Sequence, residues 1–186
     1  MKFEPLPLAG AFLITLDPKA DHRGYFMRAY DSTLFAKQGL QTSWVQENES
    51  LTRQAHTVRG FHFQYPPHSE TKLVRVTSGR ALDVIVDVRK GSPTFGRHFA
   101  VELSAANHRM LYVPKGFAHG FCSLEPDTLF HYFVDEPYCR EAEGGVRWDD
   151  PDVAAPWPAK QPVVSEKDSA LPLLAGCKPV ELGLPT

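Results

Sequence analysis

The sequence predicts an all-β protein, built as an antiparallel sandwich or barrel with a few short helices. About ten short segments alternate apolar and polar residues, the two-residue period that is typical of strands with one buried face. The chain contains 16 Pro and 13 Gly residues, which suit the turns that many short strands need. Helical periodicity is scarce, and no repeat or linker divides the sequence. We therefore expect a single domain over residues 1–186.

The N-terminal part of the chain predicts several strands and one helix. A helical segment at residues 32–38 has Asp31 or Ser32 as its N-cap, and Gly39 can end it. The alternating patterns around this helix predict strands at residues 11–16, 25–28 and 43–48.

Residues 57–76 form the centre of the pattern, two strand-like runs joined by a Pro-containing turn at residues 65–67. Side chains alternate between the faces of a strand, so His62 should lie opposite the phenylalanines on either side of it. A hairpin through the turn would then place His62 and Lys72 over one patch. The alternative is a solvated hairpin with an incidental histidine, since exposed cationic side chains are common.

The remaining strands follow at close intervals. After a turn at residues 78–80, the next strand is expected to pair back on the run that ends at Val76. In the last strand, Tyr132 should share a face with Phe130. The C-terminal part is Pro-rich and irregular, with a short helix expected from Ser165. The predicted strands span residues 81–87, 97–103, 110–113, 118–123 and 128–134.

Composition argues against several classes of function. The net charge of −2 gives no basic surface for nucleic acid. No apolar run is long enough to cross a membrane, and the N-terminus lacks the apolar stretch of a signal peptide. Three cysteines without CxxC spacing indicate neither a disulfide framework nor a structural zinc site. We expect a cytoplasmic protein.

A PxGxxH pattern at residues 114–119, ending in His119, is the second signature of cupin jelly rolls. A metal site in such a fold would need an HxH pair and a glutamate in the first motif. The chain has Gln64 at the second histidine position after His62, although Glu70 follows. Because glutamine is a poor ligand for transition metals, no metal is predicted.

A metal-free pocket containing His62, Lys72, His119 and Tyr132 has a coherent chemistry. An imidazole can remove a proton near neutral pH, and a phenol on the other side can return one. An ammonium can stabilise the enolate formed between these steps. These are the groups required to invert a carbon next to a ketone. The alternative for Tyr132 is a core aromatic residue beside Phe130.

Other candidates have competing structural explanations. Asp168 could orient His62, but it also ends an S-x-x-D capping box that begins at Ser165. Both roles require the carboxylate to face inward. Three cations are candidates for binding a diphosphate, and each could equally be a solvated surface charge: Arg23, Arg59 and Lys72.

The motifs of the chain, taken together, resemble the dTDP-4-dehydrorhamnose 3,5-epimerase family in order and over roughly residues 5–173. They are DxRGYF at residues 21–26, QxN at 46–48, RGFHFQ at 59–64, KLVRV at 72–76, DVIVDVRxxSPT at 83–94, PKGFAHGF at 114–121, EGGVRWDDP at 143–151 and SEKD at 165–168.

The resemblance implies a cupin-type jelly roll, a homodimer and no metal or organic cofactor. It implies a nucleoside-diphosphate 4-keto-6-deoxy sugar as substrate, with His62 as general base, Asp168 as its partner, Tyr132 as proton donor and Lys72 stabilising the enolate. Tyr138 matches an aromatic that stacks on the nucleobase, and Phe26 matches an aromatic of the nucleotide pocket. The other substrate-contact positions are Arg23, Gln46, Asn48, Arg59, His119 and Glu143.

One departure from the family pattern concerns the nucleotide. Arg28 stands where the family usually has a glutamate that contacts the nucleotide, so the sequence leaves the base open. A C3-only epimerase acting on a dTDP-, GDP- or CDP-linked sugar is one alternative, because the sequence does not decide between epimerisation at one carbon and at two. The second alternative is a jelly roll that binds a sugar nucleotide without catalysing a reaction, although such a protein has no need of an acid and a base.

Overall fold

The computed structural model describes residues 1–182 of the chain. Within them, short strands account for most of the regular structure, as the alternating pattern predicts. They are β1 (Lys2–Pro5), β2 (Phe12–Thr15), β3 (Lys19–Asp21), β4 (Gly24–Phe26), β5 (Gln46–Thr52), β6 (Val58–Gln64), β7 (Lys72–Ser78), β8 (Arg80–Asp87), β9 (His98–Ser104), β10 (Arg109–Val113), β11 (Phe117–Ser123), β12 (Thr128–Val134) and β13 (Glu143–Gly145).

The strands form two main antiparallel sheets and one small hairpin. The six-stranded sheet has the order β1-β2-β10-β7-β12-β5, and the five-stranded sheet has the order β13-β6-β11-β8-β9. Strands β3 and β4 pair only with each other. This is the antiparallel sandwich that the sequence predicts.

The two sheets pack face to face over the main hydrophobic core. Alternation along each strand directs apolar side chains of both sheets inward, among them Val74, Ile85, Phe121 and Phe130. Phe121 and Phe130 stack across the core with ring centroids 3.8 Å apart. The same inward faces carry the polar residues of the site at one end of the sandwich.

The outer face of each sheet is covered by a different part of the chain. Helix α1 (Ser32–Lys37), capped by Asp31 as predicted, buries Phe35 against the six-stranded sheet. The irregular C-terminal segment covers the five-stranded sheet through residues such as Val153 and Leu174. It contains the predicted last helix, α2 (Glu166–Ser169), capped by Ser165.

Two predicted hairpins are wrong. The turn at residues 65–67 does not fold β7 back on β6, because β6 pairs with β11 and β13 whereas β7 pairs with β10 and β12. The turn at residues 78–80 likewise leads from β7 to β8 in the opposite sheet. The chain therefore crosses the sandwich twice, and His62 and Lys72 lie on facing sheets.

Within residues 1–182, no helix is long and apolar enough to cross a membrane.

The two central strands of the site approach closely through glycine. Gly60 has a φ of +112°, and a Cβ there would lie 2.6 Å from the carbonyl oxygen of His119 and 2.7 Å from the Cα of Gly120. Both atoms belong to the backbone, so neither can move without shifting β11. The approach of β6 to β11 therefore depends on a residue without a side chain.

We predict that Gly60→Ala reduces the free energy of unfolding by more than the roughly 1–3 kcal/mol that a strained φ alone costs. Gly24→Ala is the matched control, because Gly24 has a φ of +130° but open space around it. Urea denaturation of both variants measures the difference. Equal losses of stability would show that the contact with β11 is unimportant.

Candidate active site

A cleft opens between the two sheets and has two adjoining lobes. One lobe, here named the Arg59 lobe, has a volume of about 320 Å³, and the other, the Gln46 lobe, has a volume of about 410 Å³. Three residues line both lobes: His62, Lys72 and Tyr132. The residues assigned to proton transfer from the sequence thus lie where the lobes meet.

His62 extends from β6 in the five-stranded sheet and is held by Asp168 of helix α2. The His62 Nε2 atom lies 2.6 Å from the Asp168 carboxylate, whose other oxygen accepts a hydrogen bond of 3.1 Å from the Gly60 N–H. Asp168 is only 4% exposed, and its own N–H caps the helix by donating to Ser165. The carboxylate therefore faces inward, the geometry that both roles considered for Asp168 require.

Several opposing effects set the acidity of Asp168. Burial alone would raise its pKa, but the hydrogen bond from His62, the attraction to that ring when it is protonated and the Gly60 N–H hold the pKa below its ordinary value. The side chain is thus a carboxylate at neutral pH. With Nε2–H donating to this carboxylate, the Nδ1 atom of His62 is free to accept a proton.

Lys72 and Tyr132 approach from the six-stranded sheet. The Lys72 Nζ atom forms a largely buried ion pair of 2.9 Å with Glu70. Burial raises the pKa of the Tyr132 phenol, the negative charge of Glu70 raises it further, and Arg59 opposes them. Tyr132 packs against the core beside Phe130, but its side chain also lines the cleft. It is therefore a protonated phenol at the boundary between the core and the cleft.

A second histidine–carboxylate pair lies in the Arg59 lobe. His119 of β11 is directly opposite His62 of β6 in the strand register. Its Nε2 atom lies 2.9 Å from a carboxylate oxygen of Asp83, which is fully buried. Arg59 enters the same lobe and donates to the Thr52 hydroxyl at 3.2 Å. This lobe thus combines a guanidinium with an imidazole, a combination suited to an anion.

The Gln46 lobe contains the other predicted contact residues. Asn48 lines it, and the Gln46 side chain accepts a hydrogen bond of 3.1 Å from the Tyr138 N–H. Tyr138 is 58% exposed, so its ring is available to a ligand. Glu143 accepts hydrogen bonds of 2.8 and 2.9 Å from Lys167, which hold the Glu143 pKa below its ordinary value.

Three predicted substrate contacts lie away from the cleft. Arg23 pairs with Asp21 at 2.6 Å in the small hairpin formed by β3 and β4. Phe26, at the end of this hairpin, is 70% exposed. Arg28 pairs with Asp31 at 3.2 Å, at the N-cap of α1. Within one copy of the chain, the positions of these three residues therefore do not support their assignment as substrate contacts.

The structure adds three polar residues to the site that the sequence did not assign to substrate or catalysis. Lys167 lines the Arg59 lobe, Asp83 supports His119, and Glu70 pairs with Lys72. Glu70 was considered only as a metal ligand. The signal that could have identified Glu70 is the E-x-K spacing, which places it two residues before Lys72. Within residues 1–182, no group of three or more His, Cys, Asp and Glu side chains could hold a metal ion.

Comparison with known proteins identifies the family. The family model described as dTDP-4-dehydrorhamnose 3,5-epimerase matches residues 5–176. The chain is 46% identical over 175 residues to a protein of that name from Sinorhizobium fredii, with coverage of 94% of this chain and 90% of the relative.

Solved structures of the same family have the same fold. The Bacillus anthracis dTDP-4-dehydrorhamnose 3,5-epimerase, crystallised with TDP and PPi, superposes with a TM-score of 0.90 at 45% identity, covering 92% of this chain and 98% of that one. A Legionella pneumophila 3,5-epimerase in complex with dTDP-4-keto-L-rhamnose gives 0.92 at 33% identity, with coverage of 98% and 99%. The chain belongs to the dTDP-4-dehydrorhamnose 3,5-epimerase family.

Proposed function

We propose that this chain epimerises a dTDP-linked 4-keto-6-deoxyhexose at C3 and C5. One observation carries the proposal: an imidazole bound to a buried carboxylate faces an ammonium and a phenol across a single cleft. Family membership supports the same reaction, and the thymidine nucleotides in the two crystallised relatives support dTDP as the carrier.

The first step of the proposed mechanism is removal of a proton next to the ketone. The 4-keto group acidifies the hydrogens on C3 and C5. His62 Nδ1 takes one of them, and the electron pair of the broken C–H bond forms an enolate whose negative charge develops on the C4 oxygen. The Lys72 ammonium, whose side chain is only 11% exposed, stabilises that charge because burial limits its screening by water.

The second step returns a proton to the opposite face of the sugar. Tyr132 lies across the cleft from His62, and its raised pKa keeps the phenol protonated until the enolate is formed. Its O–H bond then breaks as the new C–H bond forms, which inverts the carbon. Proton exchange with water restores the neutral phenol and the free imidazole. Two such cycles, one at each carbon, complete the double epimerisation.

We assign binding roles to the residues around these groups. Arg59 and His119 contact the anionic part of the substrate in the Arg59 lobe. Gln46 and Asn48 contact the substrate in the Gln46 lobe. The exposed ring of Tyr138 stacks on the nucleobase. Glu143 completes this set at the edge of the five-stranded sheet.

We further propose that the protein acts as a homodimer in which the hairpin of one copy reaches the cleft of the other. The exposed aromatic rings of Tyr25 and Phe26 on a hairpin that joins neither sheet support this arrangement. Strand β5 is the edge of its sheet and carries Gln46 and Asn48, so it offers unpaired backbone groups beside the cleft. Arg23 and Arg28 would then reach the substrate from the second copy.

Solvent deuterium incorporation tests the reaction. In D₂O we expect the wild type to label both C3 and C5 of the dTDP-4-keto-6-deoxy sugar, as followed by NMR. Label at C3 alone would identify a C3-only epimerase, and binding without label would identify a non-catalytic protein. His62→Ala should slow exchange by a factor on the order of 10²–10⁴ with the fold intact, because it removes the base.

His98→Ala is the matched control for that variant. His98 also forms a hydrogen bond through one ring nitrogen, but its Nδ1–H donates to the Val153 carbonyl and the residue lies outside the cleft. Its exchange rate should equal that of the wild type. An unchanged rate in His62→Ala would exclude His62 as the base.

Asp168→Asn should slow exchange on the order of 10²-fold or more with little change in KM. The asparagine oxygen can still accept from the Gly60 N–H, which turns its amide N–H toward His62 Nε2. The imidazole proton then moves to Nδ1, and that atom can no longer accept a proton. Steady-state kinetics measure the effect, and a change confined to KM would contradict an orienting role.

Mixing two inactive variants tests the dimer. Arg23→Ala impairs the hairpin but leaves the cleft intact, whereas His62→Ala impairs the cleft but leaves the hairpin intact. A mixed dimer has one site in which both parts are intact, so the mixture should be more active than the sum of its components. If mass spectrometry shows subunit exchange and no activity returns, the hairpin does not complete the partner's site.

A further inference from the structure

Glu70 is a buried charged residue in the cleft to which the mechanism above gives no task. Its side chain is 12% exposed, that of its partner Lys72 is 11% exposed, and the two charged atoms are 2.9 Å apart. Glu70 lies just before β7, so it reaches the cleft from the segment that crosses between the sheets. The pair lies within the Gln46 lobe, beside Tyr132.

Both oxygens of the Glu70 carboxylate are engaged, which fixes its position. Oε1 pairs with Lys72, and Oε2 accepts a hydrogen bond of 3.2 Å from the Gln64 side chain. Gln64 is itself held, because its own oxygen accepts a hydrogen bond of 2.6 Å from the Cys139 N–H. A carboxylate fixed at both oxygens can hold a flexible lysine side chain in one orientation.

The negative charge of Glu70 acts on two neighbouring groups, the Lys72 ammonium and the Tyr132 phenol. An ammonium loses its hydration on burial, and a carboxylate in contact with it favours the charged form. A phenol next to the same carboxylate is disfavoured in its anionic form. In accordance with this, Glu70 is second only to burial among the causes that raise the Tyr132 pKa. Glu70 thus fixes the position of Lys72 and favours the protonated form of Tyr132.

We propose that Glu70 is a positioning residue for the reaction: its carboxylate orients the Lys72 ammonium toward the enolate oxygen and places a fixed negative charge beside the Tyr132 phenol. The inference rests on the proposed epimerase function. It gives a reason for an acidic side chain in a cleft that binds an anionic substrate, where a carboxylate otherwise weakens binding.

Other charges around Tyr132 do not replace that of Glu70. Arg59 acts in the opposite direction and lowers the Tyr132 pKa. The carboxylate of Asp168 is engaged by His62, and that of Glu143 by Lys167. Within the described residues, the remaining charged and titratable side chains that line the two lobes are Arg59, His62, Lys72, His119, Tyr138, Glu143, Lys167 and Asp168.

Glu70→Gln tests the proposal, because glutamine keeps the shape and can still accept a hydrogen bond from Lys72. We expect exchange at neutral pH to fall by about 10- to 100-fold, because a hydrogen bond between two charged groups becomes a weaker one to a neutral acceptor. The alkaline limb of the pH–rate profile should move to lower pH. The sign follows because removal of a negative charge lowers the pKa of the neighbouring Tyr132 phenol.

A titration without substrate separates this inference from the proposed function. Ultraviolet absorbance of tyrosinate, recorded against pH and compared with the Tyr132→Phe variant, isolates the transition of Tyr132. In Glu70→Gln this transition should occur at lower pH than in the wild type. The readout needs no turnover, so it decides the role of Glu70 even if the wild type catalyses no exchange.

Two further variants define the outcome. Glu181→Gln removes the same charge from an exposed ion pair in which Lys90 lies 2.7 Å from Glu181. It should change neither the pH–rate profile nor the titration of Tyr132. Glu70→Asp retains the charge on a shorter side chain and should return the alkaline limb toward that of the wild type. An alkaline limb and a Tyr132 transition unchanged in Glu70→Gln would overturn the proposal.

Discussion

The hydrogen bond between His62 and the buried carboxylate of Asp168 is the interaction on which the cleft depends. Burying a carboxylate is costly unless donors surround it, and here the donors are the imidazole and the Gly60 N–H. This bond joins two residues 106 positions apart and fixes the C-terminal segment against the five-stranded sheet. The base, its orientation and the wall of the cleft are therefore set by one contact.

The second constraint is that the two sheets carry different groups of the site. The five-stranded sheet holds the base, and the six-stranded sheet holds the ammonium and the phenol. Strand alternation predicts which side chains share a face, so the common face of Tyr132 and Phe130 could be predicted from sequence. The pairing of strands depends on contacts distant in the chain. The turns at residues 65–67 and 78–80 therefore resembled hairpins although they cross the sandwich.

Other parts of the site could not be predicted from the sequence, for different reasons. A charged residue such as Lys167 or Glu70 has the same local pattern whether it is solvated or buried, and only its neighbours in space distinguish the two cases. Asp83 lies inside an apolar strand and has no nearby partner in the chain, since His119 is 36 positions away. Arg23 and Phe26 match family motifs by position, but one copy of the chain leaves them outside its own cleft.

The location of Asp168 has a consequence for biosynthesis. All strands, from β1 to β13, leave the ribosome before helix α2, so both sheets can pair while the imidazole still lacks its carboxylate. The nascent polypeptide thus completes the strands of both sheets before it adds the residue that orients its base. A chain cut between β13 and α2 would retain every strand and lose the orientation of its base.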